Sequence, residues 1–286
     1  MDLITTDYDI YREIVAELMS DQEQLPELPK ITLDIRAALA QPNTSVSSFS
    51  ALIARDPSLS SVLMRFAPSV MLHSHMPPQT LFDVVRLLGM TQVERIAMVN
   101  SVKNLFTPQS MGHKRLFMGA WERVIAKAST SAFLARALGK VAPDNALLAS
   151  FLSEVGTMAV LSAFKSREQA LSPEIYVALC REYSKTLGEI LLQKWEVGDE
   201  YVQVVRKTGV WHADKDERFG LIDVVNLGLY HSLKARMTTN RLPPLTELSA
   251  YKKLTPPNNA ISDTSELEVV VMKRRDIRLI ADGLHE

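Results

Sequence analysis

The stretch that most limits what this chain can become is residues 149–160, Ala-Ser-Phe-Leu-Ser-Glu-Val-Gly-Thr-Met-Ala-Val. Phe151, Leu152, Val155, Met158 and Ala159 recur at helical spacing, so the stretch reads as the middle of a buried helix. Ser153 and Glu154 are the polar pair inside it. A helix buried in this way needs other helices around it. No segment alternates with a strand's period of two, and there is no internal repeat. Only 11 glycines in 286 residues, with 7% aromatics, argue against a loop-rich or all-β chain. The expected class is therefore all-α, a multi-helix bundle with no sizeable sheet.

The other helices can be placed by their apolar stripes and their punctuation. Tyr8, Tyr11, Ile14, Val15, Leu18 and Met19 make an amphipathic first helix within residues 1–20. Leu25-Pro-Glu-Leu-Pro29 breaks it, and helices follow over about 30–40 and 46–55. Asp56-Pro57 supplies a cap and a preset first-turn residue for the next helix, which Pro68 is expected to end. Thr80 opens another helix, stopped by Gly89, and Thr91 with Glu94 has the form of a capping box. Later helices are expected over 116–138, 175–180, 187–195, 200–208 and 219–235. Residues 242–265 are rich in Pro, Asn, Ser and Thr and read as a linker. Residues 266–284 fit either a strand or a helix, with a short helix preferred. This divides the chain into an N-terminal helix (1–20), a helical domain (21–238, with subdomains 21–110 and 111–238) and a linker with a tail (239–286).

Composition narrows the function. A formal net charge of −1 gives no long-range field to gather nucleic acid or an anionic membrane. The single cysteine, Cys180, excludes a disulfide framework and a multi-cysteine zinc site, and its apolar helix suggests a packed thiol. No signal-peptide pattern is present, and no apolar run reaches the length of a membrane span, which points to the cytoplasm.

The six histidines show no metal-binding spacing. His73 and His75 fall in a proline-rich loop, His113 in an expected exposed linker, and His212 in a lone His-x-Asp with Asp214. His231 lies on the last long helix and His285 in the tail. Glycine loops for phosphate and a Gly-x-Ser-x-Gly elbow are missing. Lys273-Arg274-Arg275 is flanked by Glu266, Glu268 and Asp276 and reads as a solvated face. Met71, Met76, Met90, Met111 and Met118 read as core filling, or else as an adaptable binding surface.

Several motifs in order resemble the HDOD family of bacterial signalling-related output domains. They are Leu25-Pro-x-Leu-Pro29, Ile53-Ala-Arg-Asp56-Pro57-Ser-Leu59, Leu63-Met-Arg65, Val85-Arg-Leu-Leu88-Gly89, Trp121, Phe151-Leu-x-x-Val-Gly156 and Gly188-x-x-Leu-Leu-x-x-Trp195. The family's Asn-Ser after the third helix is here Pro68-Ser69. The resemblance implies an all-α fold related to the HD metal-dependent phosphohydrolases and a role in signalling. It also maps the superfamily's metal positions. The first histidine falls near Arg123, the His-Asp pair on Ser153 and Glu154, later histidines near Ser184 and Lys207, and the late aspartate near Leu229. One carboxylate beside positive side chains does not hold a cation, so the metal site is expected to be lost and no cofactor is expected.

The leading expectation is a non-catalytic regulatory module that contacts signalling proteins in trans, with a nucleotide-like ligand conceivable in the old cleft. The alternative is a metal-dependent phosphohydrolase or phosphodiesterase acting on a nucleotide or cyclic dinucleotide.

Overall fold

The computed structural model describes residues 2–70, 78–107, 111–164, 171–212, 217–236 and 242–285. His73, His75, Met71, Met76 and Asp214 lie outside them. The first half holds α1 (Asp2–Ser20), α2 (Lys30–Ala40), α3 (Val46–Ile53), α4 (Pro57–Val70), α5 (Leu81–Leu88) and α6 (Met90–Phe106). The second half holds α7 (Met111–Leu138), α8 (Pro143–Leu152), α9 (Val155–Ser162), α10 (Pro173–Lys194), α11 (Asp199–Lys207) and α12 (Leu221–Lys234). The tail adds α13 (Ser249–Lys252), α14 (Glu268–Met272) and α15 (Arg274–His285). The architecture is all-α, and the one extended pairing among the described residues is an isolated bridge between Ile261 and Leu267.

Local chemistry sets the helix starts. Ser45 and Ser48 cap α3 reciprocally, as Thr80 and Asp83 cap α5, so orphan backbone donors at both ends of each box are satisfied. The Leu59 N–H donates to Asp56 Oδ1 at 2.9 Å ahead of Pro57. Gly89, at φ +84°, closes α5 and at once precedes α6, a backbone angle that side chains with a Cβ rarely adopt. The Thr91–Glu94 box does not form, because α6 already starts at Met90. Glu94 instead accepts from Arg36 Nε at 3.0 Å.

Other expectations are corrected. Pro68 does not end α4, which runs on to Val70. The two helices expected over 175–180 and 187–195 are one, α10, in which Leu179 and Leu187 on either side of the polar run 181–186 are both buried. His113 is buried inside α7, because that helix starts before its apolar pattern does. Residues 242–265 are packed: Leu245, Leu248, Ala250 and Leu254 are buried, and their prolines and asparagines serve short turns. The helix preferred for residues 266–284 does form, as α14 and α15, and α15 lies on α7 and α4 with Ile280 buried.

The core runs continuously from Val15 and Leu28 through Phe49, Val93, Trp121, Phe151 and Leu191 to Leu267. Two glycines set how closely its helices approach. A Cβ on Gly156 of α9 would collide with the Ser184 carbonyl oxygen of α10 and come 2.7 Å from Gly188 N. A Cβ on Gly228 of α12 would meet Ser131 Oγ and come 3.0 Å from the Lys127 carbonyl of α7. The N-terminal half is tied on by polar contacts at the end of α10. Lys194 Nζ donates to the Leu25 carbonyl at 2.8 Å and Trp195 Nε1 to the Pro26 carbonyl at 2.8 Å, which gives the Leu-Pro-x-Leu-Pro turn its anchor. Along the same helix, Tyr8 of α1 donates to Glu182 at 2.8 Å.

Candidate functional site

Residues 149–160 do not form one helix. α8 ends at Leu152, Ser153 and Glu154 make a turn, and α9 begins at Val155. The full apolar segment 143–162 has the length and composition of a membrane span, contrary to the expectation that no run does. It is mostly buried inside the fold and is bent in the middle. The reason for the bend is visible at Lys127.

Lys127 lies on α7 with its side chain 1% exposed. Its Nζ donates to Ser153 Oγ at 2.7 Å and to Glu154 Oε1 at 2.5 Å. A buried ammonium without acceptors is very costly, and a straight helix would not bring both oxygens to it. Breaking the helix at 153–154 turns both side chains towards Lys127. Glu154 then occupies the N-terminal end of α9, where the helix dipole favours negative charge. Thr157 Oγ1 donates to the second carboxylate oxygen, Oε2, at 3.0 Å.

Burial pushes the Lys127 ammonium below its ordinary pKa, and the Glu154 carboxylate works against that shift. Burial alone would raise Glu154. The charge and hydrogen bond of Lys127, the Thr157 hydroxyl and the charge of Arg123 outweigh it and hold the carboxyl below its usual range. Tyr176 donates to the Thr157 carbonyl at 3.0 Å, and Cys180 Sγ lies 3.9 Å from the same oxygen. Burial raises the Cys180 thiol to about 12, so it is a protonated packing group and no nucleophile at neutral pH.

Of the six positions singled out in the sequence, Arg123, Ser153 and Glu154 converge here. Ser184 sits across Gly156, its carbonyl against α9. Lys207 and Leu229 belong to the α11–α12 junction around Gly209, where Asn226 accepts from the Gly209 N–H at 2.9 Å. Lys127 itself was missed. The signal available was its setting among Ala126, Ala128, Ser129, Thr130, Ser131 and Ala132, small residues that leave a lysine little surface to lie on.

A metal does not fit this arrangement. Glu154 is the single carboxylate among the six positions, and its Oε1 is taken by an ammonium. Among the described residues, no group of three or more His, Cys, Asp or Glu side chains comes together.

Elsewhere, His212 Nδ1 lies 3.2 Å from the Glu247 carbonyl in an exposed loop. His231 is buried with Nδ1 3.7 Å from Glu266 Oε1. A cleft of about 840 Å³ runs between Glu27, Arg36, Glu94 and the turn from Lys194 to Tyr201.

The family model for the HDOD domain matches residues 25–209. No curated protein matches the sequence. Three solved structures share the fold at low identity. A Shewanella amazonensis SB2B protein, provisionally named a metal-dependent phosphohydrolase, is 16% identical with a TM-score of 0.76, covering 98% of this chain and 99% of its own. An HDOD domain protein of unknown function from Geobacter sulfurreducens is 16% identical with a TM-score of 0.67, covering 99% and 98%. A provisionally named signal transduction protein from Marinobacter aquaeolei VT8 is 16% identical with a TM-score of 0.59, covering 98% of this chain and 67% of its own.

Proposed function

The chain belongs to the HDOD family, and from that premise we propose that it is a non-catalytic bacterial signalling module that acts by contacting other signalling proteins in trans. Its place is the cytoplasm. The observation that supports this reading is the Lys127–Glu154 pair. At the position where the HD superfamily holds a metal, this chain carries its own cation, tethered to α7 and already neutralising the carboxylate. A divalent ion would have to displace that ammonium and would then find one carboxylate and a serine hydroxyl, far short of a ligand shell. Without a metal to polarise a phosphoryl group or activate water, the scaffold remains as a rigid frame for partner surfaces.

The test is elemental analysis of the purified protein together with a phosphodiesterase assay in added manganese. The expected result is no stoichiometric iron, manganese or zinc and no turnover. Stoichiometric metal, or metal-dependent hydrolysis, overturns the reading and favours the phosphohydrolase alternative.

A further inference from the structure

A second site lies away from Glu154, where α4, α6 and α7 meet under the tail. It is a small, mainly apolar cavity walled by Val62, Ile96, Val99 and Leu147, with Arg65, Asn100, Lys103 and Trp121 supplying the polar part of its lining. Lys103 Nζ stands 5.6 Å from the centre of the Trp121 ring. Three observations bear on what this cavity holds.

The first is charge. Burial and then the positive charge of Arg65 push Lys103 below its ordinary pKa, and no carboxylate among the described residues acts on it in return. The second is an orphan donor. Trp121 is 2% exposed, and its Nε1–H has no hydrogen-bond partner among the described residues. Buried indole N–H groups normally find an acceptor, and one left bare is costly. The third is size. The space open to the centres of water-sized atoms is about 40 Å³, room for roughly three such atoms at about 10–15 Å³ each. That is the size of an oxyanion group and too small for a nucleoside.

We propose that this cavity is a binding site for a phosphate group, held by Arg65, Lys103, the Asn100 amide and the Trp121 indole N–H. The four residues belong to three helices, α4, α6 and α7, and donors drawn from three helices suit a tetrahedral anion better than a planar carboxylate. Two positive side chains match the charge of a phosphate dianion. The inference is independent of the non-catalytic reading, since it uses none of the residues around Glu154.

The test is nuclear magnetic resonance of the full chain carrying 15N-labelled tryptophan, titrated with inorganic phosphate, O-phosphoserine and acetate. Three indole signals are expected, and Trp121→Phe assigns the relevant one. Phosphate is expected to shift the Trp121 signal downfield with a saturable curve, at least tenfold tighter than acetate. Phosphoserine binding as tightly as phosphate assigns the site to phosphomonoesters, and binding of phosphate alone assigns it to the free ion. Lys103→Gln is expected to weaken binding about tenfold or more while far-UV circular dichroism and the melting temperature stay near those of the parent. Arg65→Gln, at an exposed position, repeats the test without touching the core. No shift of the Trp121 signal up to about 10 mM phosphate, a preference for acetate, or unchanged binding in both folded variants overturns the proposal.

Discussion

Two buried clusters of opposite charges sit on neighbouring helices and work in different ways. Around Glu154, Lys127 is sealed inside, and the partners lie on α7, the α8–α9 turn and the first turn of α9. Around α12, the charges join the bundle to the tail. Asp223 accepts from Lys253 at 3.0 Å, with side chains 4% and 8% exposed. Glu266 accepts from Arg274 at 2.9 Å and from Thr264 at 2.9 Å and faces His231. The first cluster fills a hole that the fold would otherwise have to close with apolar atoms. The second holds down residues beyond the family's matched segment. A buried pair contributes little net stability in either place, but removing one partner strands a charge. What stranding costs in each place can be measured.

The sharpest test is Lys127→Met. It leaves the Glu154 carboxylate facing an apolar side chain and should cost about 3–5 kcal/mol in chemical denaturation. Adding Glu154→Gln should recover most of that loss, whereas a loss in the double variant equal to the single one would mean that lysine packing matters and the pairing does not. Next is Asp223→Asn. It removes the charge facing Lys253 and weakens the 2.8 Å bond from the Gly220 N–H at the start of α12. About 2–3 kcal/mol is expected, with hydrogen exchange in α13 rising more than in α9.

Acid sharpens the comparison in a different way. His231, Thr264 and Arg274 hold Glu266 down to about 2 against the opposing effect of burial. A carboxyl depressed in the folded state adds stability that is complete above its unfolded value, near 4.5. That stability is lost as pH falls through the folded value. The tail should therefore loosen between about pH 4.5 and 2 by on the order of 2 kcal/mol, read as faster exchange in α14 and α15, and Glu266→Gln should abolish this pH dependence. The smallest effect belongs to Arg274→Ala. Its side chain is 60% exposed, so water screens it and about 0.5 kcal/mol is expected in a melting experiment.

The two clusters also differ in how far they could be read from the residues. The starts of α4 and α5 are legible because a buried face behind a capping Asp56 or Thr80 leaves a local record. The Ser153–Glu154 break left none. Phe151, Leu152, Val155, Met158 and Ala159 keep helical spacing across it, and its cause lies about 26 residues upstream at Lys127. Position matching placed the cation at Arg123. The lysine that makes the contact is one helical turn further on, and no sequence spacing reports which of two cations is buried. The tail was misjudged because proline and asparagine mark turns whether or not the residues between them are packed. Leu245, Leu248 and Leu254 are held by short separate turns, so no long stripe records their burial. His113 was placed in solvent for a related reason, since its helix begins without an apolar stripe.

The single span of α10 has a mechanical consequence. At 22 residues it is about 33 Å long. It touches α1 through Glu182, presses on α9 where Gly156 leaves no side chain as a cushion, and grips the Leu25 and Pro26 carbonyls at its far end. Backbone lying on backbone has no rotamers with which to absorb a shift. α10 therefore behaves as a beam with three bearings, and a tilt of either end carries the start of α9, beside Glu154, with it.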